Sequence, residues 1–525
     1  MKKQLRNILL LLVLGMSVAL VAQPKRSDAI WARTAPAGSI KIDGKLDEAA
    51  WAKAESIYVQ YGKNAGLPGS GFTVESGDVK DSIKAVVKFL VSDSSLYVAI
   101  TVKDSSVGGR DFGPQDGKGS DALLMNLKNK SDVAARPSPH GEFILGWIKV
   151  SWMNPSTTVH LPGGMPVTGP NGVQGFTAAV TVLGSTNNDD KTDTSYTVEM
   201  RYDLKRLGYD ISKQEGDILM YSLAIRDGDW QWFTDINKNN SVFSRVWIQS
   251  PWGNGSHKSH LRIFAKPDVT ISSGAVPKIA PDLIIPDGKL VASPVIDGKL
   301  DEPVWSKALS YDIRFGSDSI RNTYPFTGPW RSGQYQPTVN GGTATVKDPG
   351  NATMKLFFKG DTLFVGVDVR DKYVQYISAV NDGSHDRADG IRLTINDKKL
   401  TDELDNDMLL RRLTMFVDSV GKGIIFDDLL KLRDTLKSTR AVLALKPNTT
   451  VDTLGLSADA GYQIEMAIGL KDVGFPAGRG DGVVFLGMTL FDGDGFIPAT
   501  NSYGTRAWFF REGNGDDGPA FGYMD

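Results

Sequence analysis

The sequence predicts an all-β chain of two tandem antiparallel β-sandwich modules, jelly-roll-like in type, and three observations carry that prediction. The run Ile42-Asp43-Gly44-Lys45-Leu46-Asp47-Glu48, with Trp51 after it, returns as Ile296-Asp297-Gly298-Lys299-Leu300-Asp301-Glu302 with Trp305, so one unit occurs twice. Within each copy, short β-branched and aromatic runs are separated by Gly, Asn, Asp and Pro clusters, the pattern of strands and turns. Convincing amphipathic helices are scarce, and 56 glycines suit a chain of many turns.

In chain order, Met1 to Ala22 reads as a signal peptide. Lys2, Lys3 and Arg6 are its positive start, Ile8 to Val21 its apolar stretch and Ala22 its small cleavage residue. The apolar stretch is shorter than the roughly 20 residues of a spanning helix, and polar Gln23-Pro24-Lys25-Arg26 follows it. The expected product is exported, to a periplasmic, cell-surface or extracellular site, with no integral membrane segment once the leader is cleaved. The first sandwich is placed at residues 23–270, a linker at 271–292 and the second sandwich at 293–525. The linker carries Pro277, Pro281 and Pro286 and few aromatics.

The copies correspond strand by strand. Leu96-Tyr97-Val98-Ala99-Ile100-Thr101-Val102-Lys103-Asp104 is answered by Leu363-Phe364-Val365-Gly366-Val367-Asp368-Val369-Arg370-Asp371, both alternating and both ending at an acid. Asp121-Ala122-Leu123-Leu124-Met125 pairs with Asp389-Gly390-Ile391-Arg392-Leu393, and Tyr196-Thr197-Val198-Glu199-Met200 with Tyr462-Gln463-Ile464-Glu465-Met466. Asp227-Gly228-Asp229 pairs with Asp492-Gly493-Asp494, and Arg245-Val246-Trp247 with Arg506-Ala507-Trp508. Thr401 to Arg440 is the best helical candidate, through Leu404, Met408, Leu409, Leu413 and Leu429, although Phe416 to Val420 within it reads as strand.

Composition excludes several classes. With no cysteine there are no disulfides, c-type haem links, iron–sulfur clusters or thiol nucleophiles. A net charge of −2 from 59 basic and 61 acidic residues gives no electrostatic case for nucleic acid or an anionic membrane. No phosphate-binding Gly-rich loop ending in Lys-Ser/Thr and no Gly-x-Ser-x-Gly elbow occurs, so nucleotide and serine hydrolysis find no support.

The opening Ile-Asp-Gly-x-Leu-Asp-Glu-x-x-Trp, the Leu-Tyr/Phe-Val strand ending at Asp, the Tyr-x-x-Glu-Met strand and the late Arg-x-Trp together resemble family 9 carbohydrate-binding modules, in both copies. The resemblance implies a two-sheet sandwich, mainly structural calcium, and an oligo- or polysaccharide gripped between aromatic rings, often in proteins linked to polysaccharide catabolism. The family's clamp tryptophan before the Asp-x-x-x-x strand has no counterpart here, since Gln115 to Ser120 and Ser384 to Ala388 hold no aromatic residue.

Candidate residues follow. A pyranose presents apolar C–H faces to an aromatic ring, and Trp152, Trp230, Trp232 and Trp252 sit near Pro, Asp or Gly in expected loops of the first copy, which makes them the expected saccharide contacts. Clustered oxygen donors suit calcium: Asp227, Asp229, Asp235 and Asn237 in the first copy, Asp492 and Asp494 in the second. The Asp-Gly-Lys-Leu-Asp-Glu element reads as a turn with Asp47 and Glu48 capping a short helix, rather than as a catalytic acid pair. Trp51, Trp305, Trp247 and Trp508 read as core, and Glu199 and Glu465 as outward acids on half-exposed strands. The leading expectation is a non-catalytic glycan-binding protein. Two alternatives stand beside it: a b-type haem electron-transfer subunit ligated by residues such as Met200 or Met466, and a surface scaffold or assembly protein.

Overall fold

A computed structural model describes residues 28–63, 70–79, 81–108, 120–128, 143–149, 158–160, 166–168, 175–186, 192–229, 242–248, 261–315, 345–376, 388–398, 410–426, 438–509 and 520–525. The first copy runs through β1 (Ala29–Thr34), β2 (Glu55–Gln60), β3 (Gly71–Ser76), β4 (Lys84–Ser92), β5 (Ser95–Lys103), β6 (Ala122–Lys128), β7 (Phe143–Lys149), β8 (Thr158–His160), β9 (Pro166–Thr168), β10 (Phe176–Leu183), β11 (Ser195–Asp203), β12 (Asp217–Asp229), β13 (Val242–Trp247) and β14 (Leu261–Thr270). The second runs through β15 (Leu283–Ile285), β16 (Leu309–Arg314), β17 (Asn351–Lys359), β18 (Thr362–Arg370), β19 (Gly390–Asn396), β20 (Leu410–Val417), β21 (Gly423–Phe426), β22 (Arg440–Leu445), β23 (Tyr462–Gly469), β24 (Val483–Asp494), β25 (Tyr503–Phe509) and β26 (Ala520–Met524).

In the second module, β16-β17-β18-β23-β22 form one sheet and β15-β26-β24-β19-β20-β21, with β25 on β24, the other. The first module repeats the first order as β2-β4-β5-β11-β10 and extends the second by one strand, as β1-β14-β12-β6-β7-β8-β9, with β13 on β12 and β3 on β13. Its two layers join because β1 also bridges to β4 through Arg33 and Thr34. One departure from the antiparallel expectation recurs in both copies. Strand β1 runs parallel to β14, and β15 runs parallel to β26. Each module thus ties its first strand to its last.

Period-two alternation places the cores. Val87, Phe89 and Val91 of β4 and Leu96, Val98, Ile100 and Val102 of β5 meet Leu123, Met125, Leu219, Tyr221 and Leu223 from the opposite sheet. The second core repeats this with Leu363, Val365, Val367, Ile391, Leu393, Met488 and Leu490. Each fully buried side chain of this size contributes roughly 1.5–3 kcal/mol, which is how a chain without disulfides holds its fold. Within the expected helix, residues 410–417 and 423–426 are strands β20 and β21, joined by a turn. Leu413, Met415 and Val417 alternate into the core, so burial on one sheet face overrides the helical spacing of the leucines. Among the described residues only short 3-10 turns occur as helix.

The repeated opening motif acts as a latch on the outer face of one sheet. Oε2 of Glu199 accepts the amides of Asp43 (3.1 Å) and Gly44 (2.9 Å), and its Oε1 accepts Nε1 of Trp51 at 2.9 Å. Glu465 does the same to Asp297, Gly298 and Trp305 at 2.9, 2.9 and 3.0 Å. Both glutamates are fully buried, which corrects their reading as outward acids on half-exposed strands. Trp51 packs with Ile40, Leu90, Tyr97 and Ala99 in a cluster outside the main core, and Trp305 likewise with Phe357 and Phe364. Glu48 and Glu302 accept the amides of Lys41 (2.8 Å) and Val295 (2.9 Å) across the motif, and the 3-10 turns at Trp51–Lys53 and Pro303–Ser306 have no side-chain cap, contrary to the capping expectation. Trp247 and Trp508 are also fully buried, yet each alternates out of register with the core-facing residues of its strand.

Candidate metal centres

The acids that end and begin strands converge at one end of each sandwich. In the first module Asp104 follows β5, Asp121 precedes β6, and Asp227 and Asp229 close β12. One carboxylate oxygen each from Asp104, Asp227 and Asp229 lies within 4.8 Å of the others. In the second module Asp371, Asp389 and Asp492 form the same kind of group within 4.8 Å, and Asp494 lies beside them. The hydrogen bonds repeat residue by residue. Asp121 accepts the amides of Gly228 (2.9 Å) and Gly108 (2.5 Å), and Asp389 those of Gly493 (2.7 Å) and Gln375 (2.5 Å). Asp227 accepts Oγ of Ser244 at 2.9 Å, Asp492 accepts Oγ1 of Thr505 at 3.0 Å, and Asp494 accepts the Tyr503 hydroxyl at 2.6 Å.

These donors do not saturate the site. Oδ2 of Asp104 and Oδ1 of Asp492 and of Asp494 are buried with no hydrogen-bond partner among the described residues. None of Asp104, Asp121, Asp227, Asp371, Asp389, Asp492 and Asp494 has a Lys or Arg ion-pair partner among the described residues. Burial, reinforced by the neighbouring carboxylates, pushes Asp104 and Asp371 up to about 6 and Asp494 up to about 8. The same causes hold Asp121, Asp227, Asp389 and Asp492 well above the usual carboxylate range. Packed carboxylates out of water must either keep protons or share a cation.

The donor set fits a hard divalent cation. All its atoms are oxygens, its carboxylates come from segments far apart in the chain, two in the first module and three in the second, and one oxygen of each lies within 4.8 Å of the others, which suits the oxygen-only coordination of calcium. Asp104, Asp227 and Asp229 would hold the ion in the first module and Asp371, Asp389 and Asp492 in the second. Bound there, it would neutralise the acids and tie the ends of β5 and β12, or of β18, β19 and β24, into one rigid rim. A hydrolytic reading does not fit, because a glycosidase acid pair must flank its substrate in an open cleft. Asp121 and Asp389 are 0 % exposed.

Of the acids proposed from sequence, Asp227, Asp229, Asp492 and Asp494 are brought to these ends, on the last residues of their strands. Asp235 and Asn237 lie outside the described residues, as do Trp152, Trp230, Trp232 and Trp252. The sequence reading passed over Asp104, Asp121, Asp371 and Asp389 as ligands. The available signal was their recurrence as the acids bounding paired strands. Met200 and Met466, the imagined haem ligands, are buried within the two cores.

In the second module, rings crowd the acidic end. Phe496 packs edge-on to Tyr373 (5.2 Å) and tilted against Tyr503 (5.8 Å), with Nζ of Lys347 over it at 4.6 Å. A Cβ on Gly455 would lie 2.5 Å from the Phe496 ring, so backbone covers part of that ring too.

No protein-family model matches the chain. No curated protein matches it either. Among solved structures, the chain is similar to a family 9 carbohydrate-binding module from Caldicellulosiruptor kristjanssonii in complex with cellotriose, at 15% identity and a TM-score of 0.29, over 47% of this chain and 99% of that one. A glucose complex of a family 9 module from the same organism matches at 17% identity and a TM-score of 0.29, over 47% and 100%. A candidate carbohydrate-binding protein from Bacteroides uniformis ATCC 8492 matches at 7% identity and a TM-score of 0.29, over 46% and 99%.

Proposed function

We propose that this chain is an exported, non-catalytic carbohydrate-binding protein whose two sandwich modules are each held by a structural calcium ion. The observation that carries the reading is the place of the acidic clusters. In the first module, Asp121 accepts amides from Gly108 and Gly228, and the chain continues from these two places into 109–119 and 230–241. The second of these segments contains Trp230 and Trp232. A cation at the base of such segments would hold ring platforms in place before a saccharide arrives, which lowers the ordering cost of binding. The partial covering of Phe496 favours the first module as the stronger binder, and a link to polysaccharide catabolism is part of the same proposal.

The test is calorimetric titration of residues 23–525 with xylo- and cello-oligosaccharides, with calcium and with chelator. Binding that is lost in Trp230→Ala or Trp252→Ala protein, and weakened by chelator, is the expected result. Silence across the panel, from protein that melts cooperatively in calcium, would sink the reading and leave the modules as scaffold.

A further inference from the structure

We infer that the two modules are locked in one fixed relative orientation by a buried clamp, so that residues 271–285 act as a shared wedge rather than as a flexible tether. The inference does not depend on what either module binds.

Asp282 is held in the second module, because its amide donates to the carbonyl of Phe521 (2.8 Å) and its Oδ2 accepts the amide of Phe521 (2.8 Å) on β26. The same carboxylate receives Nη1 of Arg262, on β14 of the first module, at 3.2 and 2.9 Å. The other side of that guanidinium faces Asp28, with Nε 3.6 Å from Oδ2, and the Arg262 amide donates to the Asp28 carbonyl at 2.9 Å. The Arg262 and Asp282 side chains are 1% and 2% exposed. The preceding residues of the wedge lie on the first module. Nε1 of Trp31 donates to the carbonyl of Pro277 (2.8 Å), and Val276 and Ile279 pack on the cluster of Trp31, Ile218, Phe264 and Val269.

There is little slack in this arrangement. From Ile279, packed on the first module, to Asp282, paired in the second, the chain has three steps and spans at most about 10 Å. A buried guanidinium also tolerates only geometries that keep both carboxylates against it, since displacement would strand charge out of water. A pair of domains joined by such a segment would ordinarily be expected to move. Here the ion pair selects one arrangement, so any two binding faces on the chain keep a constant spacing and angle, which suits one extended or surface-bound partner.

The absence of cysteine makes the test direct. Tyr58 and Val420, each 72% exposed and one in each module, are replaced by cysteine and spin-labelled, and the inter-label distance distribution is measured in the full chain. The expected result is one narrow peak, whereas a free ten-residue tether would spread the pair by about 16–19 Å. A broad distribution overturns the inference. Two further chains test the cause. A short Gly-Ser insertion after Gly274, where a Cβ would meet nothing within 4 Å, leaves the clamp untouched and should leave the peak unchanged. Broadening there would show that tether length, not the clamp, sets the orientation. Arg262→Met should broaden the peak while each module still melts cooperatively, and an unchanged peak in that folded variant would remove Arg262 from the role.

Discussion

Replacing Glu199 or Glu465 with alanine tests whether the repeated motif is a structural latch. Each carboxylate takes three N–H donors, two from backbone and one from an indole, at 2.9–3.1 Å in the first module, and in a site with no exposure. A hydrogen bond to a charged group contributes about 1.5–3 kcal/mol, and a buried donor left without an acceptor costs about 1–3 kcal/mol. Water entering the vacated space restores part of this, so a net loss of about 3–5 kcal/mol is expected, comparable to breaking a buried ion pair. For a unit of this size each kcal/mol moves the melting temperature by about 2–4 °C, giving a fall of roughly 6–20 °C in the affected module. Differential scanning calorimetry of the full chain reads it. Intrinsic fluorescence reports Trp51 or Trp305 leaving its pocket. A Glu199→Ala protein that melts within about 0.5 kcal/mol of the parent, the scale of an ordinary surface change, would refute the latch.

Three other outcomes are expected. Chelator should lower the melting temperature of calcium-loaded protein, by the equivalent of about 4 kcal/mol if calcium stands at a thousand times its dissociation constant, and Asp389→Asn should abolish that response in the second module; a chelator-insensitive melt counts against the metal centres. Gly44→Ala should destabilise strongly, because φ is +81° and the new Cβ would lie 2.7 Å from Oγ1 of Thr181 and 2.8 Å from its amide, whereas Gly38→Ala, at φ +66° in open space, should cost only about 1–2 kcal/mol by urea titration. Burial pushes the Glu199 carboxyl from 4.5 up to about 7 against the pull of its donors. The native state therefore binds that proton more tightly than the unfolded chain, and stability relative to Glu199→Gln should fall as pH rises from 4.5 to 7; urea midpoints across that range that keep a constant gap would contradict this sign.

What was legible in the sequence was whatever local pattern and repetition encode. The duplication, the strand period of Leu96 to Lys103 and Leu363 to Arg370, and the acids of the Asp-Gly-Asp runs all follow from side chains alternating along extended chain, and the folded protein shows them as strands. Local pattern misled at residues 410–426, because leucine spacing alone cannot say that one face will be buried by a partner sheet. Tertiary structure alone could decide the rest. Asp104, Asp121 and Asp227 span more than a hundred residues of chain, and only strand pairing brings their strand ends to one rim. Glu199 reads as a surface acid from its neighbours on β11, and becomes a buried acceptor because the motif folds back 148 residues to cover it. Arg262 and Asp282 look like unrelated charges on either side of a proline-containing segment, and become a clamp because strands of two different sheets meet there. Periodicity is a property of neighbours in the chain, while sites are made by neighbours in space.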